Sequence, residues 1–102
     1  MDIKELTNRM HEFVQDQGWY EPDSLKPQTL RNLAISLSLE ANEVLENFQW
    51  NDQQSDTEAL SEELADVALY LLQIASLASI DLEKAILEKL EKNYQRNWNQ
   101  EC

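Results

Sequence analysis

Residues that break helices are confined to one stretch of this chain. Its single glycine, Gly18, and both of its prolines, Pro22 and Pro27, fall between positions 18 and 27. Elsewhere nothing interrupts backbone hydrogen bonding, and apolar residues recur at the three-to-four-residue spacing of a helix. The expected fold class is therefore all-α, a four-helix-bundle-like chain forming a single domain over residues 1–102. A domain of 102 residues buries only a modest share of its surface, so a shared interface would help it fold, and a homo-oligomer, dimer or tetramer, is expected.

The pattern marks four helices. The first runs from about Ile3 to Gln17, with Leu6, Met10, Phe13 and Val14 as its apolar stripe, and Gly18 ends it. The stretch GWYEPDSLKP that follows is the one long irregular segment, with two aromatics beside turn-forming residues, and loops of that length often carry function. A second helix begins near Gln28 or Thr29 and continues to about Phe48, with Trp50 just past its end. Ser55 followed by Glu58 matches a capping box for a third helix reaching Ile80. That helix is expected to be the longest and most buried, because Leu69 and Leu72 make it apolar nearly all round and suited to packing on two sides. Asp81 is a good N-cap for a fourth helix, expected to fray after Trp98.

Within this frame four carboxylates form two matched pairs, Glu40/Glu43 and Glu63/Asp66, each three residues apart. At about 100° per residue the members of a pair lie on the same side of a helix, one turn from each other. Glu40 falls beside the arc of Leu30, Leu33, Leu37, Val44 and Phe48, with Glu43 one row further out. Glu63 and Asp66 share a stripe with Tyr70 and Gln73, alongside Leu64, Val67, Leu71 and Ile74. Facing acidic stripes at a core edge repel unless a cation lies between them or a proton is taken up. With 20 acids against 8 basic residues, one such pair arises by chance; two at core edges are harder to dismiss.

Hard oxygen donors alone suit Mg²⁺, or Mn²⁺, whereas zinc usually brings His or Cys. Carboxylate-bridged di-iron bundles need Glu-x-x-His, and the sole histidine, His11, lies on another helix, where it reads as a surface or packing residue with no assigned role. A magnesium site of this kind most often serves phosphates. Lys89, Asn93 and Arg96 form a donor-bearing row on the fourth helix that can reach phosphate oxygens, or can be an ordinary solvated face. Trp19 and Trp50 stand beside helices, where an indole can stack on a nucleobase or anchor packing. The Tyr70 hydroxyl can donate to a phosphate or satisfy a core hydrogen bond.

The formal charge of −12 argues against a nucleic-acid backbone or an anionic membrane surface as partner. The most apolar segment, Leu64 to Ile80, is shorter than the roughly 20 residues of a membrane span. Cys102 is the sole cysteine, which leaves no disulfide framework, and the N-terminal residues lack the apolar run of a signal peptide; a cytoplasmic setting is expected.

Taken in order, these residues resemble the all-α nucleoside triphosphate pyrophosphohydrolases of the MazG and dCTP pyrophosphatase type, in which ExxE is followed by ExxD on successive helices. The likeness extends to RNLAISLSLEANEVLENFQW around the first pair, ELADVALYL around the second, and KLEKNYQR near the end. The resemblance implies Mg²⁺-dependent cleavage between the α and β phosphates, with Glu40, Glu43, Glu63 and Asp66 as the catalytic metal ligands. It places Trp19 and Trp50 against the base and Tyr70, Lys89, Asn93 and Arg96 on the phosphate side. The implied substrate is dCTP or a related or modified pyrimidine nucleotide, in nucleotide-pool house-cleaning. The chain departs from the pattern at Leu39, where many relatives carry an acid able to act as base, with Glu46 as a possible substitute; at Asn42, where Gly is common; and at Asn97-Trp98, where Tyr-Pro is common. Two rival readings remain open here: a nucleotide-binding module of the same fold with weak or no turnover, which Leu39 favours, and a plain acidic helical interaction domain.

Overall fold

The computed structural model describes residues 1–50 and 56–96, and every described element is helical: α1 (Ile3–Asp16), α2 (Leu30–Glu46), α3 (Thr57–Leu77) and α4 (Leu82–Gln95). Each begins where a side-chain oxygen satisfies a backbone N–H that the helix itself cannot. Asp2 accepts from the Glu5 N–H at 2.9 Å, Thr29 from Asn32 at 3.1 Å and Asp81 from Lys84 at 3.1 Å. At the third start the cap is Asp56, which accepts from Glu58 and Ala59 at 3.0 and 3.2 Å. Ser55, the expected cap, lies outside the described residues, as do Asn97 and Trp98.

Two helices end alike. After α1, Gly18 adopts a left-handed φ of 77°, its N–H donating to the Gln15 carbonyl while the Trp19 N–H reaches back to Val14. No atom would crowd a Cβ at Gly18, so the requirement there is the backbone angle alone. After α3, Ser79 takes the same position with φ 58°, and the Ile80 N–H donates to the Ala75 carbonyl at 2.8 Å. This closing turn ends α3 at Leu77, three residues short of the expected Ile80. The second helix likewise ends at Glu46, with Phe48 and Trp50 in the turns beyond it.

The helix α3 is the axis of the fold. Along it α2 packs closely, α1 less so, and α4 touches it only sparingly, leaving at an angle of 103°. Met10, Val14, Leu33 and Ala75 form the small buried apolar core. Expected to be the longest and most buried helix, α3 is the longest at 21 residues and buries Gln73 and Ala75, no more residues than α1, while its Leu64 and Leu71 remain 52% and 43% exposed. Its apolar circumference is packed on the α1/α2 side and open on the other. No single helix among the described residues is long and apolar enough to cross a membrane.

Candidate active site

Side-by-side packing of α2 and α3 brings the two acidic pairs together. The Glu40 carboxyl is pushed above the usual carboxylate range, first by desolvation, then by Glu43 one turn away, and further by the charges of Asp66 and Glu63 on the facing helix. Its Oε2 is sealed from solvent and meets no hydrogen-bond donor among the described residues. The ion pairs found among the described residues, Arg9–Glu5 within α1 and Lys84–Glu88 within α4, do not involve these acids.

An amide that the sequence reading missed sits at the end of α2. The Asn47 Nδ2 donates to the Glu43 carbonyl at 3.2 Å and to the Glu63 carboxylate, tying the helix terminus to α3. Nothing in the local sequence marks it, because its partner lies 16 positions away.

The donor chemistry fits a hard divalent cation: oxygen ligands only, one of them buried without a donor, in an uncompensated acidic cluster. As the side chains stand, no three acidic or imidazole groups among the described residues converge on an ion position. Asn47 holds Glu63, while Glu43 and Asp66 are exposed and able to turn.

Glu40 and Asp66 also line a cavity of about 770 Å³ between α1, α2, α3 and the segment joining α1 to α2. The volume is within the range of small-ligand sites. Its walls include Trp19, Tyr70 and Gln73, together with Leu6 and Phe13, the part of the α1 stripe that does not reach the core. Trp19 is aimed there by the turn that closes α1. Phe13 meets its ring edge-on, 5.7 Å between centroids, and the Lys26 ammonium lies 4.9 Å over it. The Tyr70 hydroxyl makes no hydrogen bond among the described residues, which leaves it available to a ligand. An open groove along the outer face of α1 is larger, about 860 Å³, but holds none of the four acids.

The remaining expected residues lie elsewhere. Trp50 is 91% exposed and does not line the cavity. Lys89 and Arg96 are exposed on α4 and Asn93 is half-buried; none of the three reaches the cavity within one chain. Leu39 and Glu46 are both exposed on α2.

Behind the cavity runs a polar network that joins distant parts of the chain. His11, read from sequence as a surface or packing residue, has both ring nitrogens engaged: Nδ1 lies 2.5 Å from the Tyr20 hydroxyl and Nε2 lies 2.7 Å from Ser76 Oγ. Gln73 Nε2 donates to the Tyr20 hydroxyl at 3.2 Å and to Gln28 Oε1 at 2.9 Å. Burial lowers the His11 pKa and raises that of Tyr20, so both are held neutral. The helical stripe already placed Gln73 beside Asp66 and Tyr70, but no spacing rule pairs His11 with a residue 65 positions away.

An all-α chain that packs an ExxE helix against an ExxD helix, with one acid of each pair, Glu40 and Asp66, lining a cavity between the helices, has the arrangement of the MazG-type nucleoside triphosphate pyrophosphohydrolase superfamily. The chain belongs to the MazG-like family, whose sequence profile matches residues 35–101. Among its relatives, dCTP pyrophosphatase 1 of Mus musculus is 36% identical over 104 residues, and the proteins of the same name from Rattus norvegicus and Homo sapiens are 34% and 33% identical over 101 residues. Each match covers 86% of this chain and 55% of the relative, so the chain spans about half the length of the curated relatives it matches. The crystal structure of a pyrophosphatase from Archaeoglobus fulgidus superposes with a TM-score of 0.73 at 39% identity, covering 90% of this chain and 88% of that one.

Proposed function

We propose that the chain hydrolyses a deoxynucleoside triphosphate to the monophosphate and pyrophosphate with the help of Mg²⁺ or Mn²⁺, and that dCTP or a related or modified pyrimidine nucleotide is its substrate. The observation that carries this reading is the gathering of Glu43, Glu63 and Asp66 around Glu40, with Glu40 and Asp66 lining a cavity that also holds Trp19 and Tyr70. The names of the relatives support the same reaction class. Glu40, Glu43, Glu63 and Asp66 would hold the cation, which when bound neutralises phosphate charge and lowers the pKa of a coordinated water. Trp19 offers an aromatic surface to the base, and Tyr70 a hydroxyl donor on the same wall as Asp66. The apolar residues around them exclude water from the base end. No carboxylate stands at Leu39 to take the proton of the attacking water, and Glu46 lies away from the cavity.

Self-association belongs to the same proposal. The chain exposes 8215 Å², against roughly 6,000 Å² for a compact monomer of this mass. Its radius of gyration is 16.5 Å, against about 13 Å for a compact domain of this length. A dimer or tetramer covering the open side of α3 and the apolar face of α4 would remove that excess, and would set Lys89, Asn93, Arg96 and Trp50 in new surroundings. Light scattering coupled to gel filtration reads the state directly, and a monomer at micromolar concentration refutes it. A cytoplasmic setting, with no nucleic-acid or membrane partner, completes the reading.

Incubating the purified chain with each deoxynucleoside triphosphate and Mg²⁺, and measuring pyrophosphate, tests the function. Release should be fastest from dCTP, and Asp66→Ala should remain folded with turnover near background. Binding without turnover by the wild-type chain would leave the nucleotide-binding module as the better description. A thermal midpoint unmoved by every nucleotide and metal combination would leave the interaction domain.

A further inference from the structure

The network behind the cavity has a direction that is set at a backbone carbonyl. Gln28 Nε2 lies 2.7 Å from the Lys26 carbonyl oxygen, which can only accept, so that end of the Gln28 amide is the donor and its Oε1 the acceptor. The Gln73 atom 2.9 Å from Gln28 Oε1 must then be the donor Nε2. The second proton on that nitrogen goes to the Tyr20 oxygen at 3.2 Å, which turns the tyrosine's own proton toward His11 Nδ1 at 2.5 Å. The imidazole proton therefore sits on Nε2 and is donated to Ser76 Oγ at 2.7 Å. Flipping either amide would set donor against donor or acceptor against acceptor.

One atom is left over. Both amide protons of Gln73 are committed, and its Oε1 accepts from no donor among the described residues, although the residue is only 3% exposed and lines the cavity. That oxygen is not sealed from solvent, so in a residue otherwise buried in the cavity wall it is an oriented acceptor open to a ligand N–H. Asp66, Tyr70 and Gln73 share one face of α3, with Asp66 and Gln73 separated by about 10 Å along the helix axis. That is the scale of the reach from the α phosphate to the far edge of a pyrimidine in an extended nucleotide.

We propose that Gln73 is a specificity-determining residue whose Oε1 accepts a hydrogen bond from the amino group of the base, and that Gln28, Tyr20 and His11 are positioning residues that keep the carboxamide from turning. The inference rests on the nucleotide reading above. Cytosine presents an N–H donor where uracil presents a carbonyl oxygen, so the fixed acceptor favours the amino base and leaves two facing acceptors unpaired with the oxo base.

The test is the ratio of kcat/KM for dCTP to that for dUTP, measured by pyrophosphate release in the wild-type chain, Gln73→Leu and Tyr20→Phe. The wild type should prefer dCTP. Gln73→Leu, which keeps bulk and removes the acceptor, should cut the ratio about tenfold, and Tyr20→Phe, which removes one of two amide anchors, should cut it about threefold. A purely structural role lowers turnover of both substrates together and leaves the ratio unmoved, and that result overturns the assignment while the pyrophosphohydrolase reading stands. A wild type that prefers dUTP overturns it equally. Should Gln73→Leu fail to fold, the ratio in Tyr20→Phe decides alone, an unchanged value refuting the proposal. A wild-type chain that releases no pyrophosphate from any nucleotide removes both readings.

Discussion

Replacing His11 with alanine should cost the fold a large part of its stability, because this ring joins α1 to the loop segment and to α3 at once. It makes two hydrogen bonds, to Tyr20 and Ser76, each contributing about 1 kcal/mol net in a folded chain. In the variant the Tyr20 hydroxyl still accepts from Gln73, but its own proton loses its acceptor, adding about 1 kcal/mol more. A loss of about 3 kcal/mol is a sizeable share of the roughly 5–15 kcal/mol that holds a typical domain together. For a chain of this length it corresponds to a fall of roughly 15 °C in thermal midpoint. Circular-dichroism melting at one fixed protomer concentration measures it, since self-association would make the midpoint depend on concentration. The pH dependence provides a second readout. Burial holds the imidazole below its ordinary value of 6.5, so the unfolded chain takes up this proton more readily than the folded one. The contribution is therefore complete above about that value and is lost as the pH falls below it. A protonated ring would donate from both nitrogens and set Nδ1–H against the tyrosine proton. The variant should lack this component of the acid loss. A midpoint within a few degrees of the wild type at neutral pH, or an identical pH profile, would refute the account.

Glu40 titrates with the opposite sign: its pKa in the fold lies above the ordinary 4.5, so stability falls as the pH rises through the interval between the two. Glu40→Gln should accordingly raise the thermal midpoint at neutral pH without divalent cations, and should abolish the further rise that Mg²⁺ gives the wild type; a lower midpoint in the variant contradicts the repulsion. Ser79 holds a left-handed φ of 58° at the end of α3, a conformation glycine adopts without steric cost. Ser79→Gly should therefore stabilise the chain by about 0.5–1 kcal/mol in urea titration, and destabilisation would show that the serine side chain contributes there.

Local rules reached most of the secondary structure. Gly18 ends α1 because a left-handed residue is needed there, and Asp81 starts α4 because its carboxylate caps a free N–H. Both requirements act within four residues and can be read from neighbours alone. The same rules misplaced the ends of α2 and α3, where apolar periodicity runs on past the last helical hydrogen bond. Of the site, the two acidic pairs and Trp19 were legible, since helical spacing and loop position announce them. Asn47 and the His11–Tyr20–Gln73 chain were not, because each joins residues that only packing brings together.

By itself the sequence determined that this chain is helical, where its breaks fall, and that two pairs of carboxylates occupy helix faces bordered by apolar residues. Those are matters of backbone preference and of a period of 3.6 residues, and they involve no distant partner. Tertiary structure decided that the pairs meet, that Glu40 Oε2 is sealed without a donor, and that Gln73, in the cavity wall, has its amide nitrogen tied to Tyr20 and Gln28. It also decided that α4 departs from α3 and leaves Lys89, Asn93 and Arg96 outside the cavity wall within one chain. Burial and hydrogen-bond direction are properties of groups brought together from far apart, and they exist only once the helices have packed.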